Sequence, residues 1–322
     1  MTQVGPPGPQ VELGPGWVDP ACPLCGIRLR DRLLDGEVCP PEGEPQRVSL
    51  VCCQGCGFAY TTPRPEGELL GSFYTLDYKP HQSPPPTLLS SPNPSSGRLV
   101  AKDLRKGFPP FGEGRMLDFG CGSGSYLERM KAKGWKVTGV DASAKMAHNL
   151  SQKGWEVYPG SLPNTALHGR SFDLMTMWQS LEHVPDPVGL LRAALALLVP
   201  GGKLLIAVPA LDSWNFTAFG EDWLGVDFPL HFSHFTKKSL YETALKAGVL
   251  VEDIGRLNHA SWMRQSALKA SVRLGKRRPL WMRLLQNKVV SRGWAFWVHH
   301  VLGRSDCLLL KGCKPKESLI GS

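Results

Sequence analysis

One short run of residues, MLDFGCGSG at positions 116–124, constrains the fold of this 322-residue chain more than any other. Its first half is largely apolar, as expected of a buried strand, and its second half carries glycine at every other position: Gly120, Gly122 and Gly124. Glycine allows a tight turn and the close approach of a ligand to the backbone. Helical spacing begins at Ser125, so the run predicts a strand, a turn and a helix that face a ligand.

The chain after residue 97 alternates between helical and strand-like segments. Short helices are predicted at 97–106, 125–133, 144–153, 188–198 and 239–247, and strands at 115–119, 136–140, 156–158, 172–177, 203–208, 250–256 and 307–311. Such alternation predicts a mostly parallel sheet with helices on both faces. We therefore expect a Rossmann-like α/β fold with seven strands. Sheets of this kind bind ligands beyond the carboxyl ends of their strands.

Two carboxylates accompany the glycines: Asp118 precedes Gly120 by two residues, and Asp141 ends the next predicted strand. A carboxylate at position 118 would repel a pyrophosphate but attract a ligand with a sulfonium and an amino group. Asp141 is spaced to accept hydrogen bonds from the ribose hydroxyls of an adenosyl ligand. The alternatives are a nicotinamide dinucleotide site, which the G-x-G-x-G spacing disfavours, and a turn without a ligand.

The N-terminal part of the chain holds two C-x-x-C pairs, formed by Cys22, Cys25, Cys53 and Cys56. Two such pairs about 27 residues apart suit a tetrahedral, four-thiolate zinc site that stabilises the fold. Cys52 is an alternative to Cys53, and Cys39 is a spare candidate. A redox dithiol is disfavoured because neither pair begins a helix in a βαβ unit.

The net charge of +9 is concentrated near the C-terminus. Residues 254–305 contain eleven Lys and Arg and no Asp or Glu, which leaves about −2 for the rest of the chain (9 − 11). Four tryptophans lie in the same stretch: Trp262, Trp281, Trp294 and Trp297. Their spacing predicts amphipathic helices at about 257–304. These helices form either a lid or a peripheral membrane contact; nucleic-acid binding is a third, less favoured interpretation because no RNA-binding module is recognisable.

No secretory or membrane-spanning segment is recognisable. The N-terminus lacks a basic start and an apolar region, and the most apolar stretch is interrupted by Pro200-Gly201-Gly202-Lys203. Together with nine cysteines, this predicts a cytoplasmic protein. The basic helices extend that expectation to the inner face of the membrane.

Four runs resemble class I S-adenosylmethionine (SAM)-dependent methyltransferases: LDFGCGSG (117–124), VTGVDAS (137–143), SFDLMTMWQSLEHVPDP (171–187) and LVPGGKLLIAVP (198–209). The resemblance implies SAM as cofactor, with the three glycines behind its methionine moiety and Asp141 at its ribose. It places Ser161 and Leu162 beside the adenine. It also implies that Trp178 and Gln179 line the cofactor and acceptor pocket.

The cysteine pairs and the following aromatic segment resemble a bacterial subgroup of these enzymes with an N-terminal zinc ribbon. The resemblance makes Tyr74 and Tyr78 candidates for the roof of the cofactor pocket, where an aromatic face can attract the sulfonium. Packing of the ribbon on the core is the alternative. Residues 229–234 (PLHFSH) lack the Tyr and Glu of the Tyr-His-Glu-His motif of zinc-ribbon sugar C-methyltransferases. The sugar deprotonation chemistry of those enzymes is therefore not carried over.

Three residues are candidates for catalysis: Glu182, His183 and His231. Methyl transfer depends mainly on holding the acceptor in line with the sulfonium, and a base is needed only if the acceptor must lose a proton. Glu182 and His183 follow the fourth predicted strand, and His231 and His234 follow the fifth. We expect both groups to meet beyond the strand ends, with His231 closest to the acceptor and Glu182 shaping the pocket.

These observations predict four regions: a disordered tail (1–18), a zinc ribbon (19–66), an aromatic segment with a Pro/Ser linker and a helix (67–110), and a SAM-dependent methyltransferase domain (111–322). The predicted acceptor is a small molecule, a saccharide or a lipid-linked compound. An RNA methyltransferase and a SAM-binding protein without catalysis are the alternatives.

Overall fold

The computed structural model describes residues 13–74 and 113–316. Its N-terminal part consists of β1 (Trp17–Val18), β2 (Arg30–Val38), β3 (Gln46–Cys53), β4 (Ala59–Thr62), β5 (Arg64–Pro65) and α1 (Gly67–Phe73). Strands β2, β3 and β4 form an antiparallel meander, and β1 pairs with β5. The predicted disordered tail is therefore too long, because Trp17 is buried and packs edge-on against Phe73.

A seven-stranded sheet forms the centre of the α/β part. The strands of this part are β6 (Arg115–Phe119), β7 (Lys136–Asp141), β8 (Val157–Pro159), β9 (Phe172–Trp178), β10 (Leu198–Pro209), β11 (Ser233–His234), β12 (Leu250–Leu257) and β13 (Cys307–Cys313). The order in the sheet is β12-β13-β10-β9-β6-β7-β8, and only β13 runs antiparallel to its neighbours. The predicted Rossmann-like, mostly parallel seven-stranded sheet is confirmed.

Eight helices follow: α2 (Ser125–Lys131), α3 (Ala144–Ser151), α4 (Pro187–Leu197), α5 (Trp214–Phe219), α6 (Lys237–Ala247), α7 (Ala260–Leu274), α8 (Leu280–Leu285) and α9 (Lys288–His300). Three of those that cover the sheet begin where a polar side chain accepts a main-chain hydrogen bond, at Ser143, Asp186 and Thr236. Strand β10 is longer than predicted because Leu198 already pairs with β9 before an irregularity that ends at Lys203. The predicted helix 97–106 lies outside the described residues.

The N-terminal part and the α/β part share one hydrophobic core. Leu24, Phe58 and Tyr60 are buried in the same cluster as residues of the central sheet. Moreover, β11 pairs with β4, so a strand from the middle of the chain completes the N-terminal sheet. The predicted boundary at residue 66 therefore does not separate two independent packing units.

Helices α7, α8 and α9 correspond to the amphipathic helices predicted within residues 257–304. Their buried faces, which include Met263, Met282 and Val298, pack against Phe219 and Trp223 in a second hydrophobic cluster. None of the helices in the described part of the chain is long and apolar enough to cross a membrane.

Candidate active site

The glycine loop lies between β6 and α2, as predicted. Gly120, Gly122 and Gly124 have φ angles of 76°, 51° and 75°, which favour glycine. A Cβ atom on Gly120 would lie 2.6 Å from Cβ of Ser180, and one on Gly124 would lie 2.8 Å from Cδ2 of Leu150. Two of the glycines are therefore required by packing within the protein as well as by their backbone conformation.

Both predicted carboxylates lie beside this loop. Asp141, at the end of β7, accepts hydrogen bonds from the main-chain N–H of Gly122 (2.7 Å) and of Ser143 (2.9 Å). Each carboxylate oxygen has a second lone pair, so Asp141 can still accept bonds from two hydroxyls. Asp118 is buried in β6 and accepts a bond from the Thr176 hydroxyl at 2.6 Å, which ties β6 to β9.

The other residues predicted at the cofactor pocket occupy different environments. Ser161 is exposed, whereas Leu162 is buried in the main core. Trp178, at the end of β9, packs edge-on against Tyr126 at 5.5 Å between ring centroids. Gln179 follows with a φ of 53°, and its Nε2 lies 3.2 Å from the sulfur of Cys307.

Tyr74 is the last residue described before the gap, and it reaches the predicted catalytic residues. Its hydroxyl lies 3.5 Å from Nδ1 of His183. Burial, followed by the negative charges of Asp227, Asp141 and Glu182, raises its pKa above the usual range. The Tyr74 side chain therefore adjoins the predicted catalytic residues through His183. Tyr78 lies outside the described residues.

Glu182, His183 and His231 converge as predicted; we call them the Glu–His cluster. Glu182 and His183 lie in a 3-10 turn after β9, and His231 lies in the loop before β11. The two imidazole rings are 4.6 Å apart and nearly perpendicular. One potential metal-ligand atom from each of the three residues lies within 4.8 Å of those of the other two.

The hydrogen bonds of the cluster define which atoms are engaged. Nδ1 of His183 lies 3.0 Å from the carbonyl oxygen of Leu230, and Nδ1 of His231 lies 2.9 Å from that of Gly225. A carbonyl oxygen only accepts hydrogen bonds, so both Nδ1 atoms donate and each neutral ring keeps a lone pair on Nε2. Glu182 is 1% exposed, and neither of its carboxylate oxygens has a hydrogen-bond partner among the described residues.

Burial shifts the pKa values of Glu182 and His183 in this cluster. It raises the pKa of Glu182 to about 8, to which the negative charge of Asp227 also contributes. Burial and the proximity of His231 lower the pKa of His183 well below its usual range. Asp227 lies 3.9 Å from Nε2 of His231 and has a φ of 25°. Asp227 could not be assigned a role from the sequence, which reveals neither its backbone conformation nor its proximity to His231.

His234 lies in β11, the strand that completes the N-terminal sheet. It is buried, which lowers its pKa to about 3, and its Nε2 lies 2.9 Å from the hydroxyl of Thr61 in β4. The same hydroxyl donates a hydrogen bond to the carbonyl oxygen of His231 at 2.7 Å. The main-chain N–H of Thr61 donates to the carbonyl oxygen of Phe232 at 2.9 Å. Sequence reasoning missed Thr61, through which the N-terminal sheet holds the loop that carries His231.

The four predicted zinc ligands, which we call the cysteine cluster, also converge: Cys22, Cys25, Cys53 and Cys56. The sulfur atoms of Cys22 and Cys56 are 3.6 Å apart, and those of Cys25 and Cys53 are 3.4 Å apart. Zinc–sulfur bonds of about 2.3 Å in a tetrahedron place sulfur atoms about 3.8 Å apart, so the donor set and its spacing fit zinc.

The two cysteine pairs have the same local structure. Gly26 and Gly57, both with positive φ, donate their N–H to the carbonyl oxygens of Cys22 and Cys53, each at 2.8 Å. The alternative ligands do not join the cluster. The sulfur of Cys52 lies 3.5 Å from the carbonyl oxygen of Gly57, and Cys39 is exposed after β2.

Comparisons with known proteins agree with this geometry. Residues 96–253 match a family model described as a methyltransferase domain. The chain is 31% identical over 173 residues to the ubiquinone biosynthesis O-methyltransferase of Xanthomonas axonopodis pv. citri, which covers 48% of this chain and 71% of the relative. It is 35% identical over 123 residues to the protein of the same name from Aromatoleum aromaticum, covering 36% of this chain and 51% of the relative.

A solved structure of an S-adenosylmethionine-dependent methyltransferase from Mesorhizobium loti is 19% identical and has a TM-score of 0.44; the similarity covers 64% of this chain and 93% of that one. The region matched by the family model contains the glycine loop, Asp141 and all three residues of the Glu–His cluster. The chain belongs to the class I SAM-dependent methyltransferases, and it is an enzyme that uses SAM as methyl donor.

Proposed function

We propose that this enzyme transfers the methyl group of SAM to a hydroxyl oxygen of a small-molecule acceptor. The observation that carries the proposal is the Glu–His cluster, which holds unpartnered acceptor atoms beside the glycine loop. Ser180, two residues before Glu182, donates a hydrogen bond to the carbonyl oxygen of Phe119 at 2.9 Å, which ties the loop to the cluster. The names of the two curated relatives support a hydroxyl acceptor.

In this proposal the cofactor lies along the carboxyl ends of β6 and β7. The glycine loop adjoins its methionine moiety beside Asp118, and Asp141 accepts hydrogen bonds from its ribose. The adenine lies near Ser161 and Leu162. The sulfonium and the acceptor lie between the glycine loop and the Glu–His cluster, with Trp178 and Gln179 on one side. Tyr74 and Tyr78 cover the cofactor, and the approach of the Tyr74 hydroxyl to Nδ1 of His183 supports this role for Tyr74.

The reaction is an in-line displacement at the methyl carbon. A lone pair of the acceptor oxygen forms the new O–C bond, while the electron pair of the S–C bond returns to sulfur and gives neutral S-adenosylhomocysteine. The hydroxyl must also lose its proton. The Glu–His cluster orients the hydroxyl, and the proton leaves on the side of His231, where the half-exposed Asp227 carboxylate connects the cluster to solvent.

Two tests with methyl-labelled SAM examine this proposal. The first offers the enzyme phenols and hydroxylated quinones, with amine and thiol analogues and total RNA as parallel substrates. We expect the label in a methyl ether; label in an amine or in RNA would contradict the proposal. The second measures SAM binding by calorimetry. Asp141→Asn should weaken binding at least about tenfold, since a bond to a charged group contributes about 1.5–3 kcal/mol. Asp173→Asn, near the start of β9, is the matched control.

The cysteine cluster supports a second proposal, a structural zinc ion. Four thiolates fill a tetrahedral coordination sphere, so no position is open for a substrate and the ion stabilises the fold. Zinc binding would therefore support β4, which begins three residues after Cys56 and carries Thr61. Metal analysis of the purified chain should find at least one equivalent of zinc, and Cys25→Ser should lower the zinc content by one equivalent.

Helices α8 and α9 support a third proposal, contact with an anionic membrane surface. Their outer side leaves large apolar side chains at least 39% exposed, including Leu280, Trp281, Trp294, Phe296 and Trp297. Around them lie Lys276, Arg277, Arg278, Arg283, Lys288 and Arg292, none of which forms an ion pair within residues 13–74 and 113–316. Apolar side chains next to unpaired cations are typical of helices that lie on anionic lipid. Such a contact suits a lipid-linked acceptor.

Sedimentation with phosphatidylglycerol vesicles tests the membrane contact. We expect binding at low salt that weakens with added salt and is absent with phosphatidylcholine alone. The pair Arg277→Glu and Arg278→Glu should abolish it. The control is the double variant Lys145→Glu with Lys153→Glu, which makes the same change of charge at two exposed lysines on and just after α3. Equal loss in both double variants would contradict a local contact.

A further inference from the structure

We propose that the Glu–His cluster is a binding site for a divalent transition-metal ion, held by Glu182, His183 and His231. This inference rests on the proposed function for the role of the ion but not for its binding. It starts from the convergence of one carboxylate and two imidazoles, with one potential ligand atom from each within 4.8 Å of the other two. An ion bound at about 2.0–2.2 Å draws such ligand atoms slightly closer together.

The carboxylate of Glu182 is the strongest single indication. Its side chain is 1% exposed, and neither oxygen has a hydrogen-bond partner among the residues that the structure describes. A buried carboxylate without a partner is costly, because it gives up hydration and receives nothing in return. A bound cation would supply a partner for the carboxylate oxygens and a positive charge that balances the carboxylate.

The two histidines are oriented as metal ligands usually are. A histidine that binds a metal through one ring nitrogen generally donates the N–H of the other to a carbonyl or a carboxylate. Nδ1 of His183 faces the carbonyl oxygen of Leu230, and Nδ1 of His231 faces that of Gly225. Because Nδ1 is engaged in both rings, Nε2 is the nitrogen that remains to bind a metal ion. They also fix the orientation of the rings.

The donor set indicates the class of ion. Two imidazoles and one carboxylate suit zinc, iron or cobalt, whereas magnesium and calcium favour sites built from oxygen. Three protein ligands leave at least one coordination position open. In the proposed reaction that position takes the acceptor hydroxyl and makes it more acidic, and the proton leaves toward Asp227, 3.9 Å from Nε2 of His231.

Cobalt(II) is the probe that tests this site in the full-length chain supplied with one equivalent of zinc, the amount that the cysteine cluster holds. The cysteine cluster should retain its zinc, because zinc binds more tightly than cobalt in the usual order of affinities. We expect one further equivalent of cobalt, with ligand-field absorption but without the thiolate charge-transfer bands of a cysteine site. Glu182→Gln and His231→Gln should each weaken cobalt binding at least about 10–100-fold. Exposed His168→Gln is the control and should leave it unchanged.

The heat of SAM binding verifies in each variant that the protein is folded. Absence of the cobalt equivalent in the wild-type chain would overturn the inference, as would undiminished affinity in both cluster variants. Methyl transfer is a separate measurement. If cobalt binds as expected but no hydroxyl is methylated, the metal site stands and the proposed function fails.

Discussion

The cysteine cluster and the Glu–His cluster are both sets of potential metal ligands, yet they are built in opposite ways. Each cysteine pair lies on a short turn, and its own glycine closes that turn by a hydrogen bond of 2.8 Å. Glu182 and His231 are 49 residues apart (231 − 182) and come together only in the folded chain, where the N–H of Phe232 donates to the carbonyl oxygen of Glu182 at 2.8 Å. The first cluster depends on local geometry, and the second depends on the whole fold.

The two clusters also differ in how well their polar atoms are satisfied. The sulfur atoms of the cysteine cluster lie next to one another at the edge of the N-terminal sheet, whereas Glu182 is buried without a partner. An arrangement that costs stability is usually kept for function. The comparison therefore assigns stability to the first cluster and chemistry to the second. Four predictions, given from the largest expected effect to the smallest, test this assignment.

Removing a ligand of the cysteine cluster should have the largest effect. We expect Cys53→Ser to lose zinc and to lower the free energy of unfolding by more than about 4 kcal/mol, a size typical of the loss of a metal. The destabilisation should extend to the α/β part, because the N-terminal part and the α/β part share one hydrophobic core. Denaturation monitored by circular dichroism measures it. Cys39→Ser removes an exposed cysteine outside the cluster and should change little; equal stability of the two variants would refute the structural role.

Removing the carboxylate of the Glu–His cluster should raise the free energy of unfolding rather than lower it. Burial raises the pKa of Glu182 from 4.5 to about 8, so the folded state binds more protons than the unfolded state between these values. Wild-type stability should therefore fall as the pH rises from about 4.5 to about 8 when no metal is added. Glu182→Gln cannot ionise, so its stability relative to the wild type should rise across this range and should be greater by at least about 1.4 kcal/mol, the equivalent of one pKa unit, at the upper end. Urea denaturation at several pH values measures the difference.

A matched control for this second prediction is Glu128→Gln on α2, which should show no such gain. A Glu182→Gln variant that is less stable than the wild type at every pH would mean that the carboxylate is structural. That result would remove the distinction between the two clusters.

Cutting the link between the two clusters should have an intermediate effect. Thr61→Val removes the hydroxyl that bonds the main chain of His231 and the ring of His234. We expect a loss of about 1–3 kcal/mol in stability and a fall of about tenfold or more in kcat, because the loop that carries His231 is no longer held in position. Thr62→Val is the control, since the hydroxyl of Thr62 bonds Asp19 on the other side. Thr62→Val should lower the free energy of unfolding but leave kcat unchanged.

The smallest expected effect comes from a turn of the cysteine cluster. Gly26 has a φ of 79° and open space where a Cβ atom would lie. Gly26→Ala should therefore cost only the strain of the left-handed backbone, about 1–2 kcal/mol. Gly71→Ala lies in α1, also in open space but without a positive φ, and should be neutral or slightly stabilising. Thermal denaturation measures the difference in stability between the two variants.

Much of the fold could be predicted because its signals are local. Strand β6 begins and ends where the apolar run does, and the helices that follow β6, β7 and β9 lie within a few residues of their predicted positions. The cysteine spacing likewise identified the four sulfur atoms that converge. Less could be predicted where the signal was absent. The two pairing residues of β11 look like part of a loop, and nothing near Thr61 suggests its bonds to residues 170 or more positions away.

The sequence by itself determined the strand-turn-helix around the glycines, the positions of the carboxylates and the two cysteine turns, because each follows from neighbouring residues. Only the tertiary structure decided that β11 completes the N-terminal sheet, that Glu182 loses its water without gaining a partner, and that Asp227 approaches His231. Burial and long-range pairing depend on which segments exclude water together. That property belongs to the assembled fold, which no single segment of the chain encodes.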